Sequence, residues 1–240
     1  MTETCDNTPI PKLTVDYTPR GTTSTLFGHE TYMVGNPTAK HAIICIYDVF
    51  GVHPNTYQSA DYFALDTPLA PLVVMPDFFD GEPVTAEMFG QPELRDKWRA
   101  DHRPARYVDD VKALVKYLTT EKGIESVGVY GFCWGAKLAM SSAPGTAIGG
   151  VAIVHPSAIT VEDTVGIEAT PMLIIATKGE DDAVYSAVAA AFSDCKYVRF
   201  DDMHHGFCAA RGDWSVEAQR TRAQEAMTMM SAFFSRVLTA

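Results

Sequence analysis

The sequence predicts an α/β fold, with a mostly parallel central sheet and helices on both of its faces. Three observations carry this: short continuous apolar runs, longer segments of helical period between them, and no linker, repeat or low-complexity tract to divide the chain. Continuous rather than alternating apolar runs are what strands buried on both faces require, and strand–helix alternation implies βαβ units. At 240 residues the chain can hide about 70% of its unfolded surface, and α/β architectures of this length are commonly one unit, so residues 1–240 are read as a single domain.

The expected strands are Ala42–Tyr47 (AIICIY), Leu72–Met75 (LVVM), Ser126–Tyr130 (SVGVY), Val151–Val154 (VAIV), Met172–Ala176 (MLIIA) and Lys196–Phe200 (KYVRF). Glu30–Val34 (ETYMV) adds an early edge strand. Tyr107, Val111, Leu114, Val115 and Leu118 recur at helical spacing, as do Ala223, Met227, Met230, Phe234 and Val237. Both sets read as core-facing helix stripes. Phe78–Arg106, which holds Gly81, Pro83, Gly90, Pro92 and Pro104, is the least regular stretch and reads as a surface excursion forming a substrate wall.

Nineteen Lys+Arg against 30 Asp+Glu give a net charge of −11, which argues against nucleic acid or an anionic membrane surface as partner. No run approaches the roughly 18 apolar residues of a membrane span, and Met1–Pro11 is polar, without the pattern of a secretory signal. The five cysteines (Cys5, Cys45, Cys133, Cys195, Cys208) are odd in number and form no CxxC pair, which argues against a zinc site or a disulfide framework. A reduced, cytoplasmic setting follows as the expectation.

The sharpest local signal is Gly131-Phe132-Cys133-Trp134-Gly135, directly after one strand and before a helical run through Lys137, Leu138, Ala139 and Met140. This is the strand–turn–helix context of a nucleophile elbow, written G-x-C-x-G. Side chains at Gly131 or Gly135 would crowd the tight turn, and the helix start places N–H groups and a positive dipole end beside the sulfur, which favours thiolate. The structural alternative is a buried cysteine in a glycine-containing turn. A nucleophile calls for an acid and then a base at later strand ends. Met172–Ala176 runs into Thr177-Lys178-Gly179-Glu180-Asp181-Asp182, offering Asp182 or Asp181, and Lys196–Phe200 runs into a loop with His204 and His205.

With these residues in view, the sequence resembles the dienelactone hydrolase family of α/β-hydrolases, most closely its fungal-type members. The likeness runs from about Ala42 to the C-terminus. It rests on Asp48-Val49-Phe50-Gly51, Pro76-Asp77-Phe78-Phe79, the elbow at 131–135, and His205-Gly206-Phe207. The resemblance implies an α/β-hydrolase fold, Cys133 as nucleophile and His205 as base. Its G-x-x-D spacing selects Asp182 as orienting acid, with His204 a structural neighbour. It also implies the backbone N–H of Val49 as oxyanion donor beside that of Trp134, and Asp48 as the acid that holds the resting thiol. Bacterial members carry a glutamate there, one methylene longer, and a second glycine where this chain has Ala136. Their carboxylate-binding arginines do not map cleanly: Arg211 lies six residues after His205, and Arg95, Arg99 and Arg103 compete for the other place, with Arg99 taken as the candidate. That spacing points away from the dienelactone itself as substrate.

The expected chemistry is hydrolysis of a small carboxylic ester or lactone through a thioester, with no metal and no cofactor. A thiolate suits activated esters better than amides, so a peptidase is not expected. Phe50, Phe79 and Phe207 are candidate apolar walls beside Trp134. His155 is either pocket-lining or structural; Cys208, close after His205, is weakly placed for a metal or a bridge to Cys133; Cys45 and Cys195 read as bystanders. Two competing functions share the scaffold: a lactone-forming cyclase or acyl transferase using the same thioester, and a non-catalytic small-molecule binder. The sequence leaves the oligomeric state open.

Overall fold

The computed structural model describes residues 9–240; Cys5 and most of the polar N-terminal stretch lie outside them. The strands are β1 (Thr22–Leu26), β2 (His29–Val34), β3 (His41–Ile46), β4 (Leu72–Pro76), β5 (Ser126–Phe132), β6 (Ile148–Val154), β7 (Met172–Thr177) and β8 (Cys195–Phe200). They form one sheet in the order β1-β2-β4-β3-β5-β6-β7-β8. β2 pairs antiparallel with both β1 and β4, and every pairing from β4 to β8 is parallel.

Each expected strand is present within a few residues of its predicted bounds. β1 is the addition. Its residues, TTSTL, are mostly exposed and carry no apolar pattern, so pairing with β2 rather than burial holds it. The hairpin turns at Phe27-Gly28, both at positive φ (52° and 86°), the geometry that follows strand twist in a two-residue connection. The central strands are buried throughout, Ala42–Ile46 being at most 1% exposed. β8, at the sheet edge, is only half-buried.

Helices α1 (Pro54–Leu65), α2 (Ala86–Phe89), α3 (Pro92–Asp101), α4 (Val108–Thr120), α5 (Trp134–Ser142), α6 (Asp182–Ala190) and α7 (Glu217–Leu238) complete the chain. The two predicted stripes sit on α4 and α7, burying Val111, Leu114, Val115 and Leu118 on the first and Ala223, Met227, Met230 and Phe234 on the second. One layer packs α1 beside α7, where Phe63 meets Phe234 edge-on at 6.2 Å. The other brings α4 against α5. The N-terminal segment is tied to α1 through buried Asp61, which accepts from the Tyr17 and Tyr32 hydroxyls and the Arg20 N–H.

The irregular stretch from Phe78 to Arg106 contains α2 and α3. α3 escapes pattern recognition because Trp98 alone among its ten residues is buried, leaving no apolar stripe to read. The parallel strands end on one edge of the sheet. The turns after β3, β5, β6, β7 and β8 therefore converge there, the expected place for a site in an open α/β sheet.

Candidate active site

Cys133 stands between β5 and α5 at φ 51°, ψ −110°, a conformation that costs a non-glycine residue about 1–3 kcal/mol and persists only where its surroundings enforce it. Here they do. The Cys133 N–H donates to the Val154 carbonyl at 3.2 Å, and the Cys133 carbonyl accepts from Ser157 N–H at 3.2 Å, so the turn is pinned to the end of β6. The flanking glycines are required by contact. A Cβ on Gly135 would lie 2.5 Å from the carbonyl oxygens of both Ile46 and Tyr47, and one on Gly131 would collide with the Gly135 carbonyl. The turn thus seats α5 directly on the end of β3 and lifts the sulfur clear of the sheet.

His205, on the loop after β8, places Nδ1 2.6 Å from Glu180 Oε1. A carboxylate only accepts, so Nδ1 carries the proton and donates, leaving Nε2 free for the cavity that His205 shares with Cys133. This corrects the expectation for the acid. Glu180, rather than Asp182 or Asp181, meets the base: its other oxygen folds back to accept the Thr177 N–H, which closes the turn after β7. Asp181 is the N-cap of α6, accepting from the N–H groups of Ala183 and Val184. Asp182 opens that helix facing outward, where it accepts from the Tyr197 hydroxyl at 2.8 Å and lies 3.6 Å from Arg199. A signal was present: an aspartate directly before an apolar helical run is an N-cap, which uses Asp181 and carries Asp182 onto the helix. His204 turns away to Gln219 at 3.0 Å, consistent with a structural neighbour.

Burial alone would lower the basicity of His205, but hydrogen bonds to Cys133 and Glu180, with their charges, push its pKa up to about 10. Burial would likewise raise the Glu180 carboxyl; bonds from His205 and Thr177 outweigh it and hold the group below its ordinary range. The backbone N–H groups of Trp134 and Val49 have no acceptor among the hydrogen bonds of the described residues.

A cavity of about 490 Å³ opens over Cys133 and His205. Val49, Phe50, Trp134, Arg99 and Arg211 are among the residues that line it. Phe79 and Phe207 do not: they are 1% and 0% exposed, Phe79 packing behind Trp134 at 4.8 Å and Phe207 behind His155. His155 is wholly buried, stacked on Phe132 and edge-on to His205 at 5.0 Å, so it backs the base without reaching the cavity. The excursion supplies Phe89, Trp98, His102 and Arg103 as one wall, and the Trp134 indole N–H fastens it by donating to the His102 carbonyl at 2.7 Å. Asp48 also lines the cavity, yet its carboxylate is directed to the backbone N–H groups of Phe50 and Ala210 rather than to the sulfur. Cys45 and Cys208 are buried free thiols, and Cys195 is half-buried on β8. Among the described residues no group of three or more His, Cys, Asp or Glu is gathered to hold a metal ion, and no helix is long and apolar enough to cross a membrane.

The family model for the dienelactone hydrolase family matches residues 29–238. The chain belongs to the dienelactone hydrolase family. With membership comes the reaction class, hydrolysis of carboxylic esters and lactones by an α/β-hydrolase fold. An uncharacterized AIM2 family protein of Schizosaccharomyces pombe is 30% identical over 224 residues, covering 88% of each chain. The hydrolase pyvD of Aspergillus violaceofuscus is 28% identical over 227 residues, covering 89% of each. Among solved structures, a dienelactone hydrolase from Anabaena variabilis superposes with a TM-score of 0.62 over 92% of this chain and 98% of that one, at 13% identity, a likeness of fold.

Proposed function

We propose that this dienelactone hydrolase family member cleaves a small carboxylic ester or lactone by way of a Cys133 thioester, with His205 as base and Glu180 as its orienting acid. The observation that carries the reading is the strained Cys133 turn facing a histidine whose other nitrogen is held by a buried carboxylate.

The thiol proton rests on His205 Nε2 before reaction; the Cys133 sulfur, as thiolate, attacks the carbonyl carbon, and the carbonyl π pair moves onto oxygen. That oxyanion is met by the N–H groups of Trp134 and Val49; losing one such donor typically costs about 3 kcal/mol in the barrier. Collapse re-forms the C=O, breaks the ester C–O bond and sends the His205 proton to the departing alkoxide. Water then attacks the thioester, giving its proton to His205. The second collapse releases the acid, and the thiolate returns. Glu180 keeps the Nδ1 proton in place and stabilises the imidazolium at each stage.

The cavity walls favour a substrate with a flat apolar portion against Phe50, Trp98 and Trp134, while Arg99, Arg103 and Arg211 would meet an anionic group despite the chain's overall −11 charge. The test is turnover of p-nitrophenyl acetate by wild type and by Cys133→Ala, with mass spectrometry of the intact protein for an acyl adduct. The expected result is an adduct on Cys133 and no turnover above background in the variant. Wild-type rates in Cys133→Ala would overturn the assignment.

A further inference from the structure

Asp48 is the one carboxylate among the cavity-lining residues, and it is 3% exposed. Among the described residues no cation is hydrogen-bonded to it. Instead Oδ1 accepts from the Phe50 N–H at 2.9 Å and Oδ2 from the Ala210 N–H at 3.2 Å. Burial pushes its pKa up to about 6, against which the two amides and the charges of His205 and Arg211 act. A charge kept in such a place needs compensation, and both oxygens find it in backbone N–H groups belonging to two different loops.

Those loops carry two parts of the proposed chemistry. The first is the turn after β3, where Gly51 N–H also closes onto the Asp48 carbonyl at 3.0 Å and Val49 O accepts from Val84 N–H at 2.8 Å. These bonds fix the turn around Val49, a cavity-lining residue whose N–H has no acceptor among the described residues. The second is the loop from His205 to Gly212, which Asn55 also grips through the carbonyls of Ala209 and Gly212, both at 2.9 Å. Asp48 is the residue that touches both.

Resting on the ester-cleavage reading above, we infer that Asp48 is a positioning residue: its carboxylate fastens the oxyanion turn bearing the Val49 N–H to the loop bearing His205, through Phe50 and Ala210, and acts on the carbonyl oxygen of the substrate rather than on the resting thiol. A thiol-holding acid would change how readily Cys133 reacts with any electrophile. A brace for the oxyanion turn affects only electrophiles that develop a carbonyl oxyanion.

The two roles separate by comparing p-nitrophenyl acetate turnover with iodoacetamide alkylation of Cys133, which passes through no oxyanion. In Asp48→Asn the amide offers one acceptor and turns a donor toward the second N–H. A misplaced donor should lower kcat roughly 10–100-fold, somewhat less than outright removal of an oxyanion contact, with KM nearly unchanged and alkylation within about twofold of wild type. Thermal melting checks the fold. If Asp48→Asn does not fold, Asp48→Glu keeps the charge but shifts both oxygens by a methylene, and the same split is expected. Wild-type kcat in a folded variant, or alkylation changing in step with kcat, overturns the inference while leaving ester cleavage intact. A wild type that turns over no ester overturns both.

Discussion

Glu180 Oε1 sits 2.6 Å from His205 Nδ1, whereas Asp182, two residues further on, spends its carboxylate on the Tyr197 hydroxyl at 2.8 Å. Glu180 also closes the turn after β7 by accepting the Thr177 N–H. Orientation of the base and shape of the turn therefore depend on one side chain.

Glu180→Gln should lower kcat for an aryl ester by roughly 10³–10⁴-fold, since a neutral amide leaves the histidine tautomer unspecified. Asp182→Asn should stay within about twofold of wild type, because an exposed helix-start acid of this kind contributes little. Steady-state kinetics on both variants checks the pair, and the opposite ranking would return the acid to Asp182.

The raised basicity of His205 has a consequence for stability. Its folded pKa of about 10 lies above the ordinary histidine value of 6.5, so the folded state holds a proton that the unfolded chain has given up. That contribution is complete below pH 6.5 and disappears as pH rises through about 10. Urea unfolding of wild type should therefore weaken between pH 7 and pH 10 more steeply than that of His205→Ala. Parallel slopes would show that the base is not charged in the resting protein.

Gly135→Ala should prevent the elbow from forming. The added methyl would sit 2.5 Å from two backbone carbonyls of the β3 end, neither of which can yield without moving the strand. A loss of several kcal/mol, in the upper range for overpacking, is expected as a large drop in melting temperature or loss of soluble protein. Ala136→Gly, one residue further into α5, should cost only about 1 kcal/mol as a helix-interior glycine. Calorimetry on the pair separates contact from propensity.

How much was visible in the sequence follows from what each feature depends on. Strands such as Ile43–Ile46 are legible because burial on both faces forces continuous apolar residues. The elbow is legible because its glycines are dictated by backbone contact. The acid was not: three consecutive acids (Glu180, Asp181, Asp182) differ only in which way a tight turn points them, the two aspartates alone read as candidates, and family spacing favoured the outward one. The cavity wall was legible as a region but not residue by residue: α3 buries Trp98 alone, and Phe79 and Phe207 belong to the packing one layer below the surface that substrate would meet. Asp48 could be marked as functional from its place after β3, but its partners could not be. Ala210 lies 162 residues away and is joined only by folding.

The bond from the Trp134 indole to the His102 carbonyl has an implication for changing what the enzyme accepts. Trp134 is the residue next to the nucleophile, so the wall is not an independent flap that can be exchanged for another loop. Grafting a foreign segment between Phe78 and Arg106 would leave that indole without its acceptor, loosening the residue whose amide is proposed to face the oxyanion. Specificity and rate are mechanically joined at this point. Variants that broaden the substrate range should therefore arise more readily from side chains such as Phe89 and Arg103, which line the cavity without holding the elbow, than from remodelling the excursion's backbone.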